Sequence, residues 1–259
     1  MAFINYTTNN LAIKIVYYGP GLSGKTTNLR HMYYYMHAAS RGELICLETD
    51  TERTMFFDLL PIKAGLIKNF RIHVQLMTVP GQVFYEASRK SILKGADGLV
   101  FVADSQAALL DANIESFDGL RQNLLEHNMD INFIPLVFQY NKRDLNNLIP
   151  VETFNNLLNP RKVPFIESSA INGVGVFETL KEISKLTVPH VRKKVFKENG
   201  EEEEIEGRME ETQEKKEENI EFVSSPSSIQ PKKIKIKSQK DIEKELESLV
   251  REFTNKEKY

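Results

Sequence analysis

Short apolar, β-prone runs alternate with longer amphipathic stretches through the first three-quarters of this 259-residue chain. That is the pattern of a sheet with helices on its faces. Runs at 11–18, 43–47, 70–78, 98–103, 134–140 and 164–167 predict strands, and the stretches 25–37, 84–93, 107–127, 151–158 and 174–186 predict helices between them. Residues 72–78 alternate apolar and polar, whereas 99–103 are apolar throughout. The first suits an edge-side strand and the second a buried central one. The expected fold is therefore α/β, with a mixed sheet that is mostly parallel and has one antiparallel edge strand.

The pattern changes near residue 195. Residues 201–204 are all glutamate and a Ser-Ser-Pro-Ser-Ser run occupies 224–228, so 196–237 reads as a disordered charged linker. Its end, 231–237, is basic. Beyond it Ile242, Leu246, Leu249, Val250 and Phe253 recur at helical spacing, which predicts an amphipathic helix over 238–254. This tail reads either as a plain solvated segment or as an arm that docks on acidic lipid, a partner groove or the domain formed by 1–195.

Composition narrows the partners. A formal net charge of -2 and pI near 6.3 give no global attraction to nucleic acid. Cys46 is the only cysteine, so no internal disulfide forms and a reducing compartment fits. There is no secretory leader, no apolar run near the ~20 residues of a spanning helix and no terminal lipidation motif. These features predict a soluble cytoplasmic protein, monomeric when alone. His31, His37, His73, His127 and His190 show no ligand spacing, and Tyr33, Tyr34 and Tyr35 read as packing on a helix.

The candidate chemistry starts at Gly19, Pro20, Gly21, Leu22, Ser23, Gly24, Lys25 and Thr26, followed by Thr27. A strand runs in and a helix runs out, the context that a phosphate loop requires. Gly19 and Gly24 permit turns that aim successive N–H groups at phosphates, and the helix start adds a positive dipole end. Lys25 is expected to bridge the β- and γ-phosphates, and the Thr26 hydroxyl to ligate Mg²⁺. This loop leaves kinases, ATPases and GTPases all open. Asn141, Lys142, Arg143 and Asp144 follow an apolar run, at the strand end where open α/β sheets bind ligands. A carboxylate at Asp144 can accept from the N1–H and 2-amino group of guanine, and adenine offers neither donor. The segment containing Ser169 and Ala170 is a second candidate base loop, presenting a backbone N–H to guanine O6.

Through 15–22, Thr51-Glu-Arg-Thr54, Thr78-Val-Pro-Gly-Gln82 and the 141–144 motif, the first 190 or so residues resemble the bacterial MglA-type branch of Ras-like small GTPases. The resemblance implies a three-layer P-loop NTPase fold and a switch that binds GTP/GDP with Mg²⁺ and hydrolyses GTP slowly alone. It also implies a role in gliding motility or cell polarity, possible recruitment to cell poles or membrane surfaces through partners, and an MglB-like roadblock activating protein. Effectors stay unidentified. Within it, Gly81 senses the γ-phosphate, Gln82 orients the attacking water, Thr54 completes the magnesium shell and Arg53 acts in cis on the transferring phosphoryl group. Thr78 departs from the Ras-like pattern, which has an aspartate there. A hydroxyl cannot replace that carboxylate, and Asp58 is the candidate substitute. A nucleotide-holding scaffold with little hydrolysis is the alternative reading that Thr78 favours.

Overall fold

The computed structural model describes residues 3–49, 55–67, 69–81, 85–197 and 232–236. The strands are β1 (Phe3–Asn5), β2 (Asn10–Tyr18), β3 (Ile45–Thr49), β4 (Met55–Ile67), β5 (Phe70–Thr78), β6 (Gly98–Asp104), β7 (Leu136–Asn141), β8 (Phe165–Glu167) and β9 (Lys232–Ile236). The helices are α1 (Lys25–Tyr35), α2 (Glu86–Leu93), α3 (Leu110–Glu126), α4 (Val151–Leu157) and α5 (Val176–Lys197). All strands join one sheet in the order β8-β7-β6-β2-β5-β4-β3-β9, with β1 added to β2.

β2 lies between β5 and β6, parallel to both, and β7 and β8 continue the parallel run. Parallel strands covered on both faces should be apolar almost throughout, as Val-Phe-Val-Ala in β6 is. One apolar layer packs Ile92, Leu120, Leu124 and Phe154 of α2, α3 and α4 on one face of the sheet. The opposite layer packs Leu29, Met32, Ile183 and Val191 of α1 and α5. This is the expected three-layer α/β fold with a mixed, mostly parallel sheet.

The antiparallel element differs from the sequence expectation. β5 is interior and parallel to β2, whereas β4, which no sequence strand anticipated, is antiparallel to both β5 and β3. The alternation in β5 reflects Arg71 and His73 near its start, where the strand leaves the core; from Val74 to Thr78 every residue is buried. Helix α5 passes through Pro189, where a stop was expected near residue 186. The lost hydrogen bond is tolerated because Val191 and Val195 beyond it pack into the core. Lys232–Ile236, read as part of the linker, forms β9 along β3. The expected helix at 238–254 lies outside the described residues.

Candidate functional site

The parallel strands all end at one edge of the sheet, and the loops that leave them there contain the candidate residues. β2 leads into 19–24 and then α1. Gly19 has φ of 146°, and a Cβ there would strike the Val102 carbonyl oxygen. Gly24 caps α1 with φ of 100°, and a Cβ would strike the Asn141 amide. Both positions are closed to larger residues, the first by β6 and the second by the base loop. No acidic residue sits in the first turn of α1, so nothing there opposes an anion at the helix start. Leu22 forms the exposed tip of the loop in the left-handed region, with φ of 60°.

Lys25 is buried and donates from Nζ to the Gly19 oxygen at 2.8 Å and to the Pro20 oxygen at 2.6 Å. Its ammonium is held over the loop. Burial, and less so the Arg89 charge, lower its pKa to about 7 against the opposing pull of Asp58. An anion at this position would restore the charged form. Arg89, on α2, is a cation of the site that the sequence reading missed. The order of its neighbours, an amphipathic helix with Lys90 beside it, offered no signal.

Thr78 ends β5 beside Asp58 of β4. The Thr78 hydroxyl donates to Asp58 Oδ2 at 3.0 Å and accepts from the Asp58 backbone N–H at 2.8 Å. Both residues are buried, and Asp58 Oδ1 has no hydrogen-bond partner in the structure. The carboxylate absent from position 78 is thus present across the strand pair, with one oxygen unspent. An orphaned buried carboxylate oxygen usually marks an ion or water site, and hydroxyl and carboxylate oxygens are the donors Mg²⁺ takes. The residues fit such an ion. After Thr78 the chain turns so that Gly81 lies against the phosphate loop: a Cβ on Gly81 would come 2.4 Å from Gly21 Cα. Thr54, Arg53 and Gln82 lie outside the described residues.

Asn141 ends β7 and fastens three segments together. Its Nδ2 donates to the Ser23 oxygen at 2.7 Å, while its Oδ1 accepts from the Ala170 N–H at 2.8 Å and the Ser168 hydroxyl at 3.1 Å. Ala170 therefore directs its N–H at Asn141, and the Ser169 N–H goes to the Val174 oxygen. Lys142, with φ of 67°, pairs with the buried Asp104. Arg143 joins the two base loops: its N–H donates to the Ser168 oxygen, and its guanidinium bonds the Ile149 oxygen and pairs with Glu167 at 2.9 Å. Asp144 is exposed at the turn. Behind the loops, Gln139 exchanges two hydrogen bonds with Asn28, at 2.8 and 2.9 Å, and donates to Thr179 at 3.0 Å. This buried amide pair ties α1, β7 and α5 into one rigid support. Sequence reasoning missed it because a lone Asn in a helix and a lone Gln in a strand carry no local pattern.

Thr26 and Thr27 are half-buried in the first turn of α1, so the hydroxyl expected to ligate a metal lies at the helix start beside Lys25. No family model matches the chain. It is 54% identical over 193 residues to the mutual gliding-motility protein MglA of Myxococcus xanthus (strain DK1622), an alignment that covers 74% of this chain and 99% of that protein. Among the described residues, no helix is long and apolar enough to cross a membrane. With that identity over nearly the whole of the relative, this chain belongs to the MglA-type family of Ras-like small GTPases.

Proposed function

We propose that this chain is a molecular switch for gliding motility and cell polarity, which holds GTP or GDP with Mg²⁺ and hydrolyses GTP slowly until an MglB-like roadblock protein stimulates it. The observation that carries this reading is the Asn141 side chain. It joins the phosphate loop at Ser23 to the second base loop at Ala170 and Ser168, so one nucleotide can be gripped at both ends by a single fastened unit. The similarity to a Myxococcus protein of mutual gliding motility supports the motility role.

In this mechanism the α1 N-terminus and the loop amides bind the phosphates, and Lys25 neutralises the β and γ groups. Asp144 accepts from the guanine edge, and the Lys142 stem covers the base, held by Asp104. Thr26, Thr54 and, through its free oxygen, Asp58 are the residues that would hold Mg²⁺. When bound, the ion neutralises charge on the β- and γ-phosphate oxygens. Gly81 donates its N–H toward the γ-phosphate, Gln82 orients the attacking water, and Arg53 stabilises the charge that develops in the transition state. The hydroxyl at Thr78 favours the scaffold reading, and the Asp58 carboxylate beside it weighs against that reading.

Single-turnover phosphate release from GTP, with and without a roadblock-type activator, tests the proposal. The switch predicts slow release alone and stimulation by the activator. Replacing Arg53 with Ala or Gln82 with Leu should then remove roughly 10³-fold or more of the stimulated rate. Stimulated release no faster than that of Gln82→Leu would leave only the scaffold.

A further inference from the structure

The sheet does not end where the family resemblance ends. β3 is paired antiparallel to β4 on one side and parallel to β9 on the other, with Ile45 opposite Lys232, Leu47 opposite Ile234 and Thr49 opposite Ile236. Myxococcus MglA is matched over 99% of its length while about a quarter of this chain has no counterpart in it, so β9 belongs to this chain's own extension. Without β9, the sequence Ile-Cys-Leu-Glu-Thr of β3 would be a bare edge, with open N–H and C=O groups beside apolar residues, a template for foreign strands. β9 covers it with Lys-Lys-Ile-Lys-Ile. It thereby becomes the outermost strand, and lysine is the residue that best blunts a new edge.

Direction gives the pairing a consequence. β3 runs toward the ligand edge of the sheet and enters residues 50–54, and β4 returns from them to bring Asp58 against Thr78. Because β9 is parallel to β3, its Ile236 end lies opposite Thr49, at the mouth of that segment. A strand hydrogen-bonded along β3 therefore stiffens the hairpin on which the first-switch residues and the substitute carboxylate depend. The intervening residues 198–231 reach about 110 Å when extended, at ~3.3 Å per residue, more than enough to span the domain. Tethering also presents the strand at a high effective concentration.

We propose that Lys232–Ile236 is a regulatory strand that the chain docks in cis on its own β3 edge, where it restrains the first-switch hairpin until it is displaced. The restraint on nucleotide rests on the proposed switch function; the docking itself does not. Replacing both Ile234 and Lys235 with proline in the full chain removes the ladder donor whichever residue of the pair faces β3. Thermal melting of both proteins checks that the variant is folded. Amide hydrogen exchange over 45–49 should be slow in the wild type and at least tenfold faster in the variant. A labelled peptide of residues 228–240 should bind the variant saturably by fluorescence anisotropy, and the wild type at least tenfold more weakly. Both proteins should sediment as monomers, and the variant should release labelled GDP about fivefold faster or more, a typical coupling.

Equal exchange and equal peptide binding in the two proteins would overturn the docking, and a wild-type dimer that the prolines dissociate would assign the strand to a second copy. Docking with unchanged GDP release would overturn the restraint on the switch. If neither protein binds GDP, the proposed function fails while exchange and peptide binding still report on the docking.

Discussion

The contact between Thr78 and Asp58 makes a prediction that runs in two directions. Placing the usual carboxylate at position 78 by Thr78→Asp would set a second acid where the hydroxyl now lies 3.0 Å from Asp58 Oδ2. At an effective dielectric of 20, two unit charges ~3 Å apart repel by about 5 kcal/mol. Both positions are buried, so solvent relieves little of this, and the pair would share a proton or push the strands apart. The aspartate of the wider Ras-like pattern should therefore destabilise the nucleotide-free protein by a few kcal/mol, read as a lower urea midpoint. Asp58→Asn keeps the shape and removes the charge. Its unfolding midpoint should stay close to the wild type, while its Mg²⁺-dependent GDP affinity falls by roughly 10–100-fold, the usual effect of losing a supporting carboxylate. The exchange of the two residues, Asp58→Thr with Thr78→Asp, moves the single carboxylate across the strand pair and should recover most of both losses. The measurements are urea unfolding and EDTA-triggered release of labelled GDP. A Thr78→Asp protein as stable as the wild type, or an Asp58→Asn protein with unchanged sensitivity to EDTA, would refute the reasoning.

Three further outcomes follow from the site. Burial and Arg89 lower Lys25 to about 7 in the nucleotide-free protein; its folded value lies below its unfolded one, so the unfolded chain binds more protons above pH 7 and nucleotide-free stability rises from there toward pH 10. A phosphate restores the charge, so GDP binding takes up a proton and weakens up to tenfold per pH unit above about 7, which calorimetry in buffers of different ionisation enthalpy would detect. Gln139→Leu leaves Asn28 Oδ1 without its donor in the core, while Nδ2 keeps only the Gly24 oxygen, and should cost about 1–3 kcal/mol of stability, with GDP affinity falling because α1 loses this tie to β7. Gly81→Ala would drive a methyl into the Gly21 backbone and should prevent 79–81 from closing on the loop, leaving GDP affinity within a few-fold while GTP loses its distinct protease-protection pattern.

The parts of this molecule that obey local rules were legible in its sequence. β2, β5 and β6 could be read from apolar runs, and the phosphate loop from the spacing of Gly19, Gly24 and Lys25 between a strand and a helix. The 141–144 turn followed from its position after β7. β4 escaped because Pro61 interrupts it and Gly65 lies at a register shift, both signals that argue against a strand. Only its pairing with β5 and β3 makes it one. β9 escaped for a related reason: five residues of alternating Lys and Ile carry too little pattern to stand alone, and their partner lies far away in sequence. In the site, the loops at 19–26 and 141–144 were legible as motifs, whereas several side chains that hold them in place were not. Asn28, Gln139, Thr179 and Arg89 act through partners distant in the chain, and no spacing rule connects them. Asp58 was named for want of an acid at position 78, and its contact with Thr78 appeared only when β4 was laid against β5.

The most direct test of the account is the identity of the nucleotide that the purified full-length chain carries and the base it selects. The purified chain should carry about one guanine nucleotide, GDP should displace labelled GDP far better than ADP does, and Asp144→Asn should abolish that preference. An adenine nucleotide in the site, or guanine selectivity that survives Asp144→Asn, would contradict it.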